Sequence, residues 1–141
     1  MKVTVSGQED MPSLKDETAV IVALDPGTHL SDGSRRLAEY NGPRLNLQLH
    51  DVWFDSDRHV LPGPEHLEAI DAFLSTHRPA HLHVSCLAGV SRSAALALFA
   101  LARAQPERTD QELVRQLLAA RPQCFPNPLI VKLADQCLGV V

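Results

Sequence analysis

The feature that most constrains this chain runs from Ala80 to Ala102. An apolar, β-branched run, Ala80 to Val84, passes through Ser85-Cys86-Leu87-Ala88-Gly89-Val90-Ser91-Arg92-Ser93 into an apolar helical run, Ala94 to Ala102. A strand that turns through small residues into a helix leaves several backbone N–H groups unpaired at the helix N-terminus. Those donors, with the helix dipole, form an anion site. A thiol at the start of such a loop sits in the field that favours thiolate. At the far end, Arg92 offers a planar, permanently charged fork suited to two phosphate oxygens. Nucleophile and anion clamp share one loop, which points to attack on phosphorus.

The rest of the chain reads as an α/β layer. Val3 to Ser6 alternates as a short strand, and Asp10-Met11-Pro12-Ser13-Leu14 has the form of a helix start. Ala19 to Leu24 is continuously apolar and ends at Asp25-Pro26-Gly27, the pattern of a buried parallel strand. Ser34 to Tyr40 reads as a short helix, and Arg44 to Asp51 as a half-buried strand with Leu45, Leu47 and Leu49 on one face. Trp53 to Pro64 is loop-like; Glu65 to His77 is helical, with Leu67, Ile70, Phe73 and Leu74 on its apolar face. After the strand His81 to Ser85 and the helix from about Arg92, Thr109-Asp110-Gln111-Glu112 forms a capping box for a helix to Ala120. Pro126 or Pro128 opens a last helix, Leu129 to Leu138, stopped by Gly139. The expected architecture is one domain over 1–141: a central, mainly parallel sheet of about four to five strands flanked by helices. Ligands of such sheets sit beyond the carboxyl ends of strands, where Cys86 falls.

Composition narrows the partners. A formal net charge of −4 and scattered arginines argue against nucleic acid. No run of residues is long and apolar enough for a membrane, and Met1 to Val5 opens no signal sequence, so a cytoplasmic monomer is expected. The three cysteines, Cys86, Cys124 and Cys137, are odd in number and far apart, which fits reduced thiols. Neither they nor the seven histidines show metal-ligand spacing, so no metal or cofactor is expected.

Hydrolysis of a phosphate ester needs an anion cradle, a nucleophile, an acid for the leaving group and an activated water. Backbone N–H groups across Leu87, Ala88, Gly89, Val90 and Ser91, with the Arg92 side chain, supply the cradle. Gly89 lets the backbone curl there, and Cys86 is the nucleophile that would form a phosphocysteine. Ser93 can donate a hydrogen bond to the sulfur and help it leave. For the acid, Asp51 at the end of its strand is the first choice, expected to meet the loop across adjacent strands; Asp55 and Asp57 stay open. The bland readings are a packing role for Cys124 and Cys137, a turn or cap for Asp51, and a cap bracing the loop for Asn127. Trp53 and Phe54 either line the mouth or simply pack.

Cys86-Leu-Ala-Gly-Val-Ser-Arg92-Ser93 resembles the Cys-x5-Arg-Ser/Thr signature of the cysteine-dependent protein-tyrosine phosphatase superfamily, in the form of its small dual-specificity-like branch and compact bacterial members. Leu24-Asp25-Pro26-Gly27, Leu47 to Asp51, and Arg121-Pro122 with Pro126-Asn127-Pro128 resemble further elements of those proteins. The resemblance implies Cys86 as nucleophile, Arg92 as phosphate binder, Ser93 as hydroxyl helper and Asp51 as general acid. It implies phosphotyrosine, with phosphoserine or phosphothreonine beside it, as substrate on a protein or small aryl phosphate. Phosphoinositide or RNA 5′-phosphate hydrolysis, and a phospho-ligand binding module with little turnover, are the alternatives. The uncharged Leu87, Ala88, Val90 and Ser91 disfavour the first of these. One departure stands out: the family usually has histidine immediately before the cysteine, and here Ser85 stands there. Loss of that hydrogen-bonding, chargeable ring predicts slower turnover.

Overall fold

A computed structural model describes residues 1–28, 35–54 and 56–139. In chain order the elements are β1 (Lys2–Ser6), β2 (Ala19–Leu24), α1 (Arg35–Ala38), β3 (Arg44–Gln48), α2 (Pro64–His77), β4 (His81–Ser85), α3 (Arg92–Ala104), α4 (Asp110–Ala120) and α5 (Pro128–Cys137). The four strands form one sheet in the order β1-β4-β2-β3, and every pairing is parallel. The expected α/β architecture is the observed one. Because all strands run the same way, their carboxyl ends lie on one edge, and the turns after β1, β2, β3 and β4 meet there.

Alternation along β2 explains the two cores. Ala19, Ile21 and Ala23 join the large cluster that α2 to α5 build on one face. Val20, Val22 and Leu24 join a smaller cluster with Met11, Leu37 and Tyr40 on the other. A strand buried on both faces has to be apolar throughout, which is why this one showed no alternation. α3 lies in the middle of the helical layer, and its alanines let it approach the sheet closely; Ala94, Ala95, Ala97 and Ala100 are all buried. Thr109 caps α4 as its capping box predicted, accepting a hydrogen bond from the Glu112 N–H at 3.2 Å. No helix among the described residues is long and apolar enough to cross a membrane.

Three expectations need correction. The helix start at Asp10 does not form a helix; Asp10 takes the Gly7 N–H at 2.8 Å and pairs with Arg121, so its carboxylate stabilises a turn instead. The strand expected to reach Asp51 ends at Gln48. Finally, β3 and β4 are not neighbours: β2 lies between them, so Asp51 does not meet the loop across adjacent strands. Of the expected helix from Ser34, residues 35–38 are helical and Ser34 lies outside the described residues.

β4 carries an unusual core histidine. His83 is buried between two β1 hydroxyls, with Nδ1 2.7 Å from Thr4 Oγ1 and Nε2 2.8 Å from Ser6 Oγ. Burial, with the nearby His81 adding to it, lowers its pKa from 6.5 to about 4. The folded protein therefore keeps His83 neutral where the unfolded chain would protonate it. Stability contributed by this site is full above about pH 6.5 and falls as the pH drops toward the folded pKa. Urea unfolding should lose about 2 kcal/mol between about pH 7 and pH 5. Replacing His83 with Gln should flatten that loss; an unchanged acid limb in His83→Gln would assign the sensitivity elsewhere.

Candidate active site

The loop between β4 and α3 is turned inside out by its anchors. The Leu87 carbonyl accepts from the Gln8 N–H (3.0 Å) and the Val90 carbonyl from the Phe125 N–H (2.8 Å). The Ser91 carbonyl accepts from the Asn127 N–H (3.2 Å) and from the Ala95 N–H (3.1 Å). Arg121 holds the two between, donating from Nε to the Gly89 carbonyl at 2.8 Å and from Nη2 to the Ala88 carbonyl at 3.1 Å. Its remaining nitrogen, Nη1, pairs with Asp10, whose other oxygen holds the Gly7 N–H. This ion pair lowers the Asp10 carboxyl below its usual range. With five consecutive carbonyls fixed outward, the N–H groups of Leu87, Ala88, Val90, Ser91 and Arg92 are left without hydrogen-bond partners among the described residues. That is an anion nest at the N-terminus of a 13-residue helix.

Two glycines make the curl possible. Gly89 adopts φ +71°, and a Cβ there would collide with the Ser6–Gly7 backbone. At Gly7 a Cβ would lie 2.8 Å from the carbonyls of Leu87 and Ala88. The end of β1 thus packs flush against the loop.

Cys86 sits under the nest, 2% exposed. The Gly89 N–H donates to its Sγ at 3.3 Å, and Ser93 Oγ lies 3.1 Å away. The thiol donates to Ser93; for a thiolate the direction reverses, and the hydroxyl donates to sulfur. Ser85 is buried, its hydroxyl 3.4 Å from the Cys86 carbonyl. Cys86, Cys124 and Cys137 are all free, and burial pushes the Cys124 thiol up.

Arg92 is buried and anchored by one edge of its guanidinium. Nη1 donates to Asp25 Oδ1 at 2.6 Å and to the Leu49 carbonyl at 2.8 Å. Nε is buried and has no partner among the described residues. A buried donor without an acceptor costs about 1–3 kcal/mol. An anion oxygen in the nest would remove that cost.

Asp51 lies three residues past β3, yet it reaches the loop. Its Oδ1 accepts from Ser91 Oγ at 2.7 Å and from Asn127 Nδ2 at 2.7 Å. Because the Ser91 hydroxyl is spent on Asp51, this N-cap residue makes no side-chain cap to α3, and the helix N–H groups stay open. Asp57 is exposed and makes no hydrogen bond to the loop among the described residues; Asp55 lies outside them. The structure thus brings Cys86, Arg92, Ser93 and Asp51 around one nest.

Aromatic side chains stand at the rim. Trp53 stacks on Phe125 with ring centroids 6.1 Å apart and planes 21° from parallel. They are 56% and 62% exposed, and Phe54 and Leu87 are exposed as well.

Sequence reasoning missed the roles of Asp25, Asp10 and Arg121. Asp25 ends β2 at the same sheet edge as the loop, so the rule that singled out Asp51 would have found it. Nothing local marked Arg121 and Asp10 as partners across the chain. Asn127 does brace the loop, as expected, but it also holds Asp51.

No protein-family model matches the chain, and no curated protein is similar to it by sequence. Solved structures are similar to it. Tk-PTP in its active form matches with a TM-score of 0.66 at 13% identity, covering 100% of this chain and 94% of its own. Human DUSP28 matches at 0.62 and 17% identity, covering 95% and 89%. PTPMT1 in complex with PI(5)P matches at 0.64 and 12% identity, covering 96% and 88%. The chain therefore has the fold of the cysteine-dependent tyrosine and dual-specificity phosphatases.

Proposed function

We propose that the chain is a phosphomonoester hydrolase that works through a phosphocysteine, with phosphotyrosine as its preferred substrate and phosphoserine or phosphothreonine as slower ones. The observation that carries this reading is the outward anchoring of the five loop carbonyls above Cys86. Preorganised N–H donors around a nucleophile stabilise the charge that develops on a transferring phosphoryl group.

In the first step, Cys86 Sγ attacks phosphorus in line with the ester oxygen. The S–P bond forms as the P–O bond breaks, and Asp51 gives its proton to the departing oxygen. The N–H groups of Leu87, Ala88, Val90, Ser91 and Arg92, with the free edge of the Arg92 side chain, hold the equatorial oxygens. In the second step, the Asp51 carboxylate takes a proton from water as that water attacks phosphorus. The S–P bond breaks, and the Ser93 hydroxyl donates to the leaving thiolate. Cleavage is thereby divided into two displacements, each with a stabilised leaving group.

The rim favours an aryl ester. Exposed Trp53 and Phe125 offer ring faces next to the loop, and the loop side chains Leu87, Ala88 and Val90 carry no charge for a polyanionic head group. One similar structure binds PI(5)P, so a lipid phosphate belongs in the test. Phosphate release should be measured on phosphotyrosyl and phosphoseryl peptides, a phosphoinositide in detergent and a 5′-triphosphorylated RNA. The expected order places the phosphotyrosyl peptides first in kcat/KM. Faster phosphoinositide or RNA turnover would overturn the substrate assignment, and binding without release from any of them would make the chain a phospho-ligand module.

A further inference from the structure

Asp51 is exposed and lies beyond the strand that delivers it, so sheet register does not hold its carboxyl group. Asn127 does. This side chain is wholly buried, and all three of its polar functions are used. Its Oδ1 accepts the Ile130 N–H at 3.0 Å, capping α5. Its Nδ2 donates to Asp51 Oδ1 at 2.7 Å and to the Val52 carbonyl at 3.2 Å. Its own N–H holds the Ser91 carbonyl of the loop at 3.2 Å. One residue thus ties together the phosphate loop, the start of α5 and both the side chain and the backbone of the acid segment.

A helix cap alone does not explain the choice of asparagine. Capping needs an acceptor, and Ser, Thr or Asp supplies one equally well. Only asparagine joins a capping oxygen to an amide that can hold a carboxylate. Ser91 Oγ donates to the same oxygen of Asp51 at 2.7 Å, so both donors converge on Oδ1 and Oδ2 has no hydrogen-bond partner among the described residues.

We propose that Asn127 is a positioning residue for proton transfer: it locks Asp51 Oδ1 against the phosphate loop so that Oδ2 alone carries and delivers the proton. This rests on the reading of Asp51 as the general acid. The acid is then assembled on the loop before substrate arrives. Proton donation and the later proton abstraction from water use the same fixed oxygen, which is where precise orientation has its largest kinetic value.

The test uses leaving groups that differ in their need for a proton. Asn127→Ser keeps the cap acceptor and removes the amide donor; Asn127→Asp also keeps the cap and nearly the same volume. With phenyl phosphate, whose leaving group needs protonation, each variant should lose about 10–100-fold in kcat/KM. With 2,4-dinitrophenyl phosphate, whose leaving group departs as a stable anion, both should stay close to wild type. Competitive inhibition by inorganic phosphate should be unchanged, and the alkaline fall in rate with phenyl phosphate should flatten. In an Asp51→Asn background, adding Asn127→Ser should cost nothing further, because two residues that act through one step are not additive. Equal losses on both esters, weaker phosphate inhibition, or full additivity with Asp51→Asn would make Asn127 a brace of the loop and overturn the proposal. Wild-type protein that turns over neither ester would instead overturn the phosphatase reading itself.

Discussion

Cys86→Ser is expected to abolish hydrolysis of para-nitrophenyl phosphate, by roughly 10⁴-fold or more, while inorganic phosphate still binds. The nest is made of backbone, and its five outward carbonyls are held by Gln8, Arg121, Phe125, Asn127 and Ala95, while the hydrogen-bond partners of Cys86 Sγ among the described residues are Gly89 and Ser93. Exchanging sulfur for oxygen therefore leaves the anion site standing. What changes is the nucleophile. A serine hydroxyl stays protonated near neutral pH, and no general base lies within hydrogen-bond reach of Cys86 Sγ among the described residues: its partners are the Gly89 N–H and the Ser93 hydroxyl. Without such a base, a serine at this position cannot be activated as a nucleophile. A second readout separates loss of chemistry from loss of binding. Rapid quenching of the wild type during turnover should yield protein carrying one phosphoryl group at Cys86, and Cys86→Ser protein should carry none. Residual turnover within tenfold of wild type would remove Cys86 from the mechanism.

What could be read from the chain beforehand was contiguous in it. The strand–loop–helix unit from β4 to α3 is encoded within 24 residues, 81–104, with small residues where the backbone curls. The apolar run of β2 and the Thr109 capping box are equally local, and each formed as its residues imply. The errors came where distant partners compete for a local signal. Asp10 and Pro12 look like a helix start, but the Asp10 carboxylate is taken by Gly7 and by an arginine 111 residues away. Leu45, Leu47 and Leu49 alternate cleanly almost as far as Asp51, yet the β3 ladder ends at Gln48.

Sheet order was illegible for a related reason. Alternation fixes which face a side chain takes but not which strand lies alongside, so nothing in the sequence placed β2 between β3 and β4. The outcome at the site survived that error because of chain reach. Residues 49–52 leave the edge strand and cross over the end of β2, passing Arg92, which takes the Leu49 carbonyl, before Asp51 meets Ser91 and Asn127. Ser85 also reads differently in the folded chain. It is buried, and the polar chemistry of β4 sits two residues earlier at His83, whose ring bonds to Thr4 and Ser6 rather than to the loop. His83 thus does not stand in for a histidine before the cysteine.

Arg92→Lys is expected to lower kcat/KM for aryl phosphates by about 10²–10³-fold and to weaken phosphate inhibition in parallel, although the charge is kept. The arginine has two tasks on two edges of one plane. Nη1 is committed to Asp25 and the Leu49 carbonyl, which fixes the plane; Nε is buried, has no partner among the described residues, and in the proposed mechanism serves the ligand. A lysine has one compact ammonium. If it satisfies Asp25 and Leu49 it is lost to the phosphate, and if it turns to the phosphate it leaves the Leu49 carbonyl without its donor. The fold should tolerate the exchange, because the Asp25 side chain is 49% exposed and water can take over its pairing. The contrast with Asp25→Asn tests the division of labour. That variant keeps an acceptor for Nη1 and leaves Nε in place, so its loss should be far smaller, and phosphate inhibition should stay near wild type. If Asp25→Asn were as damaging as Arg92→Lys, Asp25 would have to act on the substrate directly rather than hold the arginine. If Arg92→Lys kept more than about a tenth of wild-type kcat/KM, the planar two-edged geometry would not be what binds the phosphoryl group.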